Sequence, residues 1–188
     1  MRIYIVGVAC VGKSTIGSVL AEKFGYKFID FDWEVERQIG EHISAIKNKH
    51  YNEYGYREEV KHVLQNILDE YKDNVVIAMP PGGMFRQYLE ILKKNPDVLT
   101  IALKDSAKNI LKRLTFYDDD SKLIEEDIVT DDNREAYYEE VKDDIEYFYT
   151  THRKTKMKFN LKGMGIEEGS EELFLKINEY FRDLEINK

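Results

Sequence analysis

The sequence predicts an α/β protein: a parallel sheet covered by helices on both faces. Three observations carry that expectation. Short apolar runs alternate with longer segments whose apolar residues recur at three- and four-residue spacing, the signature of strands alternating with amphipathic helices. Some runs, such as Val75-Val76-Ile77-Ala78-Met79, are apolar throughout, as strands buried on both faces are. The first run, Ile3-Tyr4-Ile5-Val6, passes through a glycine-bounded loop directly into a helical pattern.

In chain order, Ile16, Val19, Leu20 and Phe24 mark the buried face of the first helix, which starts near Lys13. Tyr26 to Asp30 alternates towards a second strand, and a helix from Trp33 to Ile39 stops at Gly40. Residues 41–56 show no convincing period and read as an irregular insertion. Val60, Val63, Leu64, Ile67, Leu68 and Tyr71 define a clear amphipathic helix before the third strand. Pro80-Pro81-Gly82-Gly83 ends that strand, and Met84, Phe85, Tyr88, Leu89 and Leu92 open another helical face. Val98 to Leu103 is a fourth strand, followed by an Asp105-Ser106 cap and a helix through Ala107, Ile110, Leu111 and Leu114. Residues 116–132 are polar and acidic. A long helix through Tyr137, Tyr138, Val141, Ile145, Phe148 and Tyr149 comes next. Lys156 to Leu161 alternates strictly, as a half-buried edge strand does. The last helix opens at Ser170 and packs through Leu173, Phe174, Ile177, Tyr180, Phe181 and Leu184.

The chemistry is concentrated in Gly7-Val8-Ala9-Cys10-Val11-Gly12-Lys13-Ser14-Thr15, which fits G-x-x-x-x-G-K-[ST]. Gly7 and Gly12 permit the backbone angles that let successive N–H groups point at phosphate oxygens. Lys13 supplies a charge for the β- and γ-phosphates, Ser14 a hydroxyl ligand for Mg²⁺, and the helix that follows aims its positive end at the same anion. This is the signature of a nucleoside-triphosphate site. Ligands of a parallel sheet collect at the carboxyl ends of its strands, and Gly7, Asp30, Asp32 and residues 80–83 all fall there. If Asp30-Phe31-Asp32 is extended, its two carboxylates project to one side, one holding a metal-bound water and the other accepting a proton from an acceptor hydroxyl. The alternative for Asp32 is a plain helix cap.

Composition narrows the field. At 188 residues, one domain with a sizeable core is expected. A net charge of −8 argues against a general binder of nucleic acid or anionic membrane. Cys10 is the only cysteine, so no internal disulfide can form, and a reducing compartment fits. No leader or membrane-length apolar run is visible, so the expected location is cytoplasmic, and the expected state is a monomer or weak homodimer. The four histidines lack metal-ligand spacing.

The stretch from Val6 to Thr15, followed by Asp30-x-Asp32-x-x-Val35-Glu36-x-x-x-Gly40-x-x-Ile43, resembles the shikimate kinases. The resemblance implies a P-loop fold with five parallel strands in the order 2-3-1-4-5, an acceptor-binding subdomain over residues 32–60 and a lid over 115–130. It implies ATP and Mg²⁺ as cofactors, held by Gly7, Ala9, Cys10, Val11, Gly12, Lys13, Ser14 and Thr15, with Arg113 beside the adenine and Ser14 and Asp30 at the metal. Lys13 and Asp32 are then catalytic, and Asp32, Arg57, Pro81, Gly82, Gly83 and Arg134 form the acceptor site. Tyr56-Arg57 stands where the family has Phe-Arg, and Arg134-Glu135-Ala136-Tyr137-Tyr138 resembles its later Arg-x-Pro-x-Tyr. The two arginines imply an acceptor with a carboxylate as well as a hydroxyl. The chain departs from the family at Val60, where a glutamate is usual, at Pro80-Pro81 in a glycine-rich turn, at Ala136, and in a lid that reads Asp120-Ser121-Lys122-Leu123 without arginine. Three readings follow: a kinase for a hydroxyl of a small metabolite, shikimate first; a nucleotide or sugar-acid kinase of the same fold; or a nucleotide-binding sensor or partner-binding protein with little turnover, favoured by the altered lid.

Overall fold

The computed structural model describes residues 1–126 and 128–186, the side chains of 184–186 excepted, so the predicted packing of Leu184 lies outside the described residues. Five parallel strands, β1 (Arg2–Val6), β2 (Lys27–Asp30), β3 (Val75–Ala78), β4 (Leu99–Lys104) and β5 (Met157–Asn160), form one sheet in the order β2-β3-β1-β4-β5. Among the described residues, seven α-helices join them and an eighth follows β5: α1 (Lys13–Phe24), α2 (Phe31–Ile39), α3 (Ile43–Asn48), α4 (Glu53–Glu70), α5 (Arg86–Lys93), α6 (Ala107–Leu111), α7 (Arg134–His152) and α8 (Ile166–Ile186).

The central strand shows why the fold has three layers. Every residue of β1 is buried, and successive side chains point to opposite faces. Tyr4 and Val6 enter a core with Phe31, Val35, Val60, Leu64 and Tyr88 from α2, α4 and α5, while Ile3 and Ile5 enter a second core with Ile16, Leu20, Ile110, Leu173 and Ile177 from α1, α6 and α8. The edge strand β5 alternates as predicted, burying Met157 and Phe159 and exposing Lys158 and Asn160. Arg2 is the one charged residue of β1. Its guanidinium is buried but satisfied, at 2.6 Å from Asp97 and 3.1 Å from the Leu68 carbonyl.

Three local expectations are corrected. Helix α2 begins at Phe31, so Asp30-Phe31-Asp32 is not extended; Asp30 is the cap, accepting the Asp32 N–H at 3.1 Å, and Asp32 lies in the first turn. The supposed irregular insertion contains α3, anchored by fully buried Ile46, and α4 starts at Glu53 behind an Asn52 cap that accepts from the N–H groups of Tyr54 and Gly55. Six residues are too few to show a helical period, which hid α3. Helix α8 begins at Ile166, and Ser170 is an interior residue whose hydroxyl donates to the Ile166 carbonyl at 2.7 Å.

Strands β1 and β3 are neighbours, but their onward connections diverge: β1 leads through α1 to β2 at one edge, and β3 through α5 to β4 across β1. A crevice opens at the carboxyl ends of β1 and β3. Leu64, with no exposed surface in the core beneath this crevice, tests the layer that supports it. Leu64→Ala should lower the unfolding free energy by about 2–5 kcal/mol in urea titration.

Candidate active site

The crevice holds a cavity of about 700 Å³. Its floor is the loop between β1 and α1, and two glycines set the path of that loop. Gly12 has φ 106°, a left-handed angle that strains any other residue, and it places the first turn of α1 over the cavity. Gly7 passes so close to β4 that a Cβ would lie 2.8 Å from the Leu103 carbonyl oxygen. Ala9, Cys10, Gly12, Lys13, Ser14 and Thr15 line the cavity, whereas Gly7 and the fully buried Val11 support the loop from beneath.

The Lys13 ammonium donates to the Val8 carbonyl at 2.8 Å. Burial lowers its pKa to about 8, opposed by the charges of Asp32, Asp30 and, from α7, Asp144. Ser14 Oγ donates to Asp30 at 2.5 Å, so hydroxyl and carboxylate are already paired at the end of β2. Asp32 lies beside them in the same cavity; burial and the neighbouring Asp30 charge raise its pKa to about 6, where an ordinary aspartate is at 3.8. A base poised close to neutrality suits proton removal from an alcohol. No group of three or more metal-binding side chains occurs among the described residues. The Ser14–Asp30 pair nevertheless fits Mg²⁺, which takes one or two protein oxygens and completes its shell with water and phosphate.

Arg113 closes the opposite wall, donating to the Val11 carbonyl at 3.3 Å and to Asp105. Leu161, Met164, Gly165 and Ile166 complete that wall, and Thr115 and Tyr117 reach it from the segment expected to be a lid. The first four were not predicted as site residues: they are apolar or small residues around a turn, with no spacing to mark them. Asp105, also unforeseen beyond capping, has a fully buried carboxylate that also accepts from the Ser106 and Gly163 N–H groups and from Asn109.

The predicted acceptor residues divide. Pro80 and Pro81 line the cavity, but Gly82 turns towards Arg57, its Cα placing a Cβ 3.4 Å from Nη1, and Gly83 packs into the core against Met79 and Val6. Residues 81–84 form a 3₁₀ turn, fixed by the Tyr4 hydroxyl donating to the Gly83 carbonyl and by His152 of α7 meeting the Pro81 carbonyl at 2.9 Å. Arg57 stacks 4.6 Å over Phe85, with one long contact to Glu53 at 3.5 Å. Arg134 is not brought to this group; it lines a separate cleft with Lys112, Phe116 and Leu123. The segment expected to be a lid is fastened to the other side of the site: Ser44 donates to the Asp119 carbonyl at 2.5 Å and Ser121 to Glu36 at 2.6 Å.

The architecture is that of P-loop kinases, and comparison with known proteins agrees. A family model for shikimate kinase matches residues 9–165. Shikimate kinase of Persephonella marina is 34% identical over 99 residues, a match spanning 52% of this chain and 58% of that protein. The crystal structure of shikimate kinase from Bacteroides thetaiotaomicron shares the fold, with a TM-score of 0.77 at 22% identity over 95% of this chain and 98% of that one. Shikimate kinase from Acinetobacter baumannii, solved in complex with shikimate, superposes with a TM-score of 0.67 at 25% identity over 97% of this chain and 93% of that one. The chain belongs to the shikimate kinase family.

The raised pKa of Asp32 has a consequence for stability. Between about pH 4 and 6 the folded protein holds a proton that the unfolded chain has released, so stability falls as pH rises through that window. Asp32→Asn should remove this decline. Because the carboxylate keeps some solvent contact, the difference should be about 2 kcal/mol between urea titrations at either end of the window, less than the full shift implies.

Proposed function

We propose that the protein is an ATP-dependent kinase that transfers the γ-phosphoryl group to a hydroxyl of a small carboxylate-bearing metabolite, with shikimate the first candidate. One observation carries this reading: the phosphate loop, the Ser14–Asp30 pair and the high-pKa Asp32 open into one cavity. Phosphoryl transfer needs positioning and charge neutralisation rather than covalent catalysis, and these are what the residues supply. MgATP supplies the transferable phosphoryl group and neutralises its charge. Backbone N–H groups of residues 9–15 cradle its phosphates, Lys13 exchanges its carbonyl partner for phosphate oxygen, and Ser14 and Asp30 hold the metal. Arg113 flanks the base. Asp32 accepts the acceptor hydroxyl's proton.

The acceptor site is read as residues 32–60 together with the Pro81 turn, under a lid at 115–130. Arg57 supports a carboxylate ligand: it is largely buried, and among the described residues its only carboxylate contact is long and its Nε has no partner. Membership of the shikimate kinase family and the shikimate-bound relative favour that acid. Arg134 joins the clamp only if the N-terminus of α7 moves from the separate cleft. Among the described residues no helix is long and apolar enough to cross a membrane.

Two variants separate binding from chemistry. Lys13→Ala should weaken MgATP binding about ten- to a hundredfold in calorimetric titration, the worth of a lost charged hydrogen bond. Asp32→Asn should leave MgATP affinity intact and lower turnover about a hundred- to ten-thousandfold in a coupled assay of ADP release. Full turnover by Asp32→Asn would return Asp32 to a purely structural role. For the acceptor, Arg57→Ala should raise the KM for shikimate about ten- to a hundredfold without changing that for MgATP. A preference of the parent enzyme for neutral alcohols would exclude the carboxylate.

A further inference from the structure

A second cavity, of about 280 Å³, lies between α7 and the carboxyl ends of β4 and β5. It shares no lining residue with the nucleotide cavity, yet three of its residues each hold a residue that lines that cavity. Val8 offers its carbonyl to the Lys13 ammonium at 2.8 Å. His152 meets the Pro81 carbonyl at 2.9 Å, and Asp105 takes the Arg113 guanidinium. Val8 of the phosphate loop lines one cavity and Ala9 the other, so the loop runs between them.

The walls suit a small molecule of mixed character. Val8, Leu103, Ile145 and the Tyr149 ring present apolar surface. Lys104 supplies the charge. Its ammonium lies 5.5 Å from the centroid of the Tyr149 ring, and among the described residues no carboxylate or carbonyl pairs with it. The other charged residue of the lining, Asp105, is already matched by Arg113. His152 is kept neutral, because burial lowers its pKa and the Lys13 and Lys104 charges act the same way, against its bond to Pro81. Lys104 therefore sets the sign of the cavity. Asn160 spends its side-chain oxygen on the Lys162 N–H at 3.0 Å, which leaves its amide N–H groups to donate. An ammonium and an amide donor beside apolar walls select an anion with an apolar body. One cation matches one charge, so a carboxylate fits, whereas a phosphate dianion would be half compensated among apolar groups. The volume sits at the lower edge of small-molecule sites, about 300 Å³ and upward.

We infer that this cavity is a binding site for a small carboxylate with an apolar body, and that its occupant opposes the binding of MgATP. The second half rests on the reading of the phosphate loop as a MgATP site, where Lys13 must leave the Val8 carbonyl for phosphate oxygen. A ligand packed on Val8 favours the arrangement in which that bond is kept. Its negative charge also repels the phosphates across the loop. Coupling of this kind is reciprocal, so MgATP weakens the carboxylate by the same factor.

Calorimetric titration at constant ionic strength compares benzoate, neutral benzamide and inorganic phosphate, in the parent and in Lys104→Gln, Tyr149→Ala and Arg57→Ala. Lys104 and Tyr149 are both partly exposed, so each variant should keep the parent's thermal unfolding midpoint. Benzoate should bind the parent with a Kd of about 1 mM or tighter, and benzamide and phosphate about tenfold more weakly or worse. Lys104→Gln should weaken benzoate about ten- to a hundredfold, the worth of a charged hydrogen bond. Tyr149→Ala should weaken it about two- to tenfold through lost apolar contact, and Arg57→Ala should bind it as the parent does. Saturating benzoate should raise the Kd for MgATP about fivefold or more in the parent, and the same concentration should leave it unchanged in Lys104→Gln. Absence of benzoate binding, equal binding of benzamide or tighter binding of phosphate overturns the site. So does a loss of benzoate in Arg57→Ala with Lys104→Gln unaffected, which places the anion in the acceptor site, and so does a loss confined to variants with a lowered midpoint. A MgATP affinity indifferent to bound benzoate overturns the coupling. A parent that binds no MgATP overturns the nucleotide reading, whereas benzoate binding that depends on Lys104 still upholds the cavity.

Discussion

A buried carboxylate joins the parts of this molecule that have to stay in register. Asp105 stands at the end of β4 with its side chain fully shielded from solvent, and its oxygens take hydrogen bonds from Ser106 and Asn109 at the start of α6, from Gly163 after β5, and from Arg113. Arg113 in turn holds the Val11 carbonyl of the phosphate loop. One side chain thus ties two strand ends, a helix start and the nucleotide wall. Taking a partner from such a network leaves an uncompensated charge in a dry place, a penalty of about 3–5 kcal/mol where it has been measured in buried pairs. Burial pushes the Asp105 carboxyl up, but its several donors outweigh that and hold it below the usual carboxylate range, favouring the ionised form.

The two halves of the site are built differently. On the nucleotide side the polar groups already have partners: Lys13 has Val8, Ser14 has Asp30 and Arg113 has Asp105. On the acceptor side, four buried atoms have none. A preorganised phosphate cradle loses little freedom when it binds, and its chemistry is common to many enzymes. The side read as the acceptor site keeps unpaired hydrogen-bonding atoms on α4 and α5, beside the turn where the chain departs from the resembled family at Pro80-Pro81.

Much of this was legible in the sequence, for identifiable reasons. The motif around Gly12 and Lys13 depends on backbone geometry that only certain residues tolerate, and the strand order followed from the resemblance those residues carry. The continuous apolar run of β3 and the alternation of β5 reported burial on two faces and on one. What stayed hidden was short or non-local. Helix α3 has no room for a period, and Asp30 took the capping role weighed for Asp32, because a helix boundary shifted by two residues is invisible to periodicity. The wall at Leu161–Ile166, the position of Arg134 in another cleft and the pairing of Asp105 with Arg113 are products of tertiary contact, for which a single sequence has no local signal.

The lid fastening at Ser121 and Ser44 has a mechanical meaning. Ser121 grips Glu36, which stands one helical turn beyond Asp32 on α2 and also accepts the Ile43 N–H that begins α3 at 2.9 Å. The segment read as a cover and the residue read as the proton acceptor are therefore tied to one helix, which Ser121 holds a single turn away from Asp32.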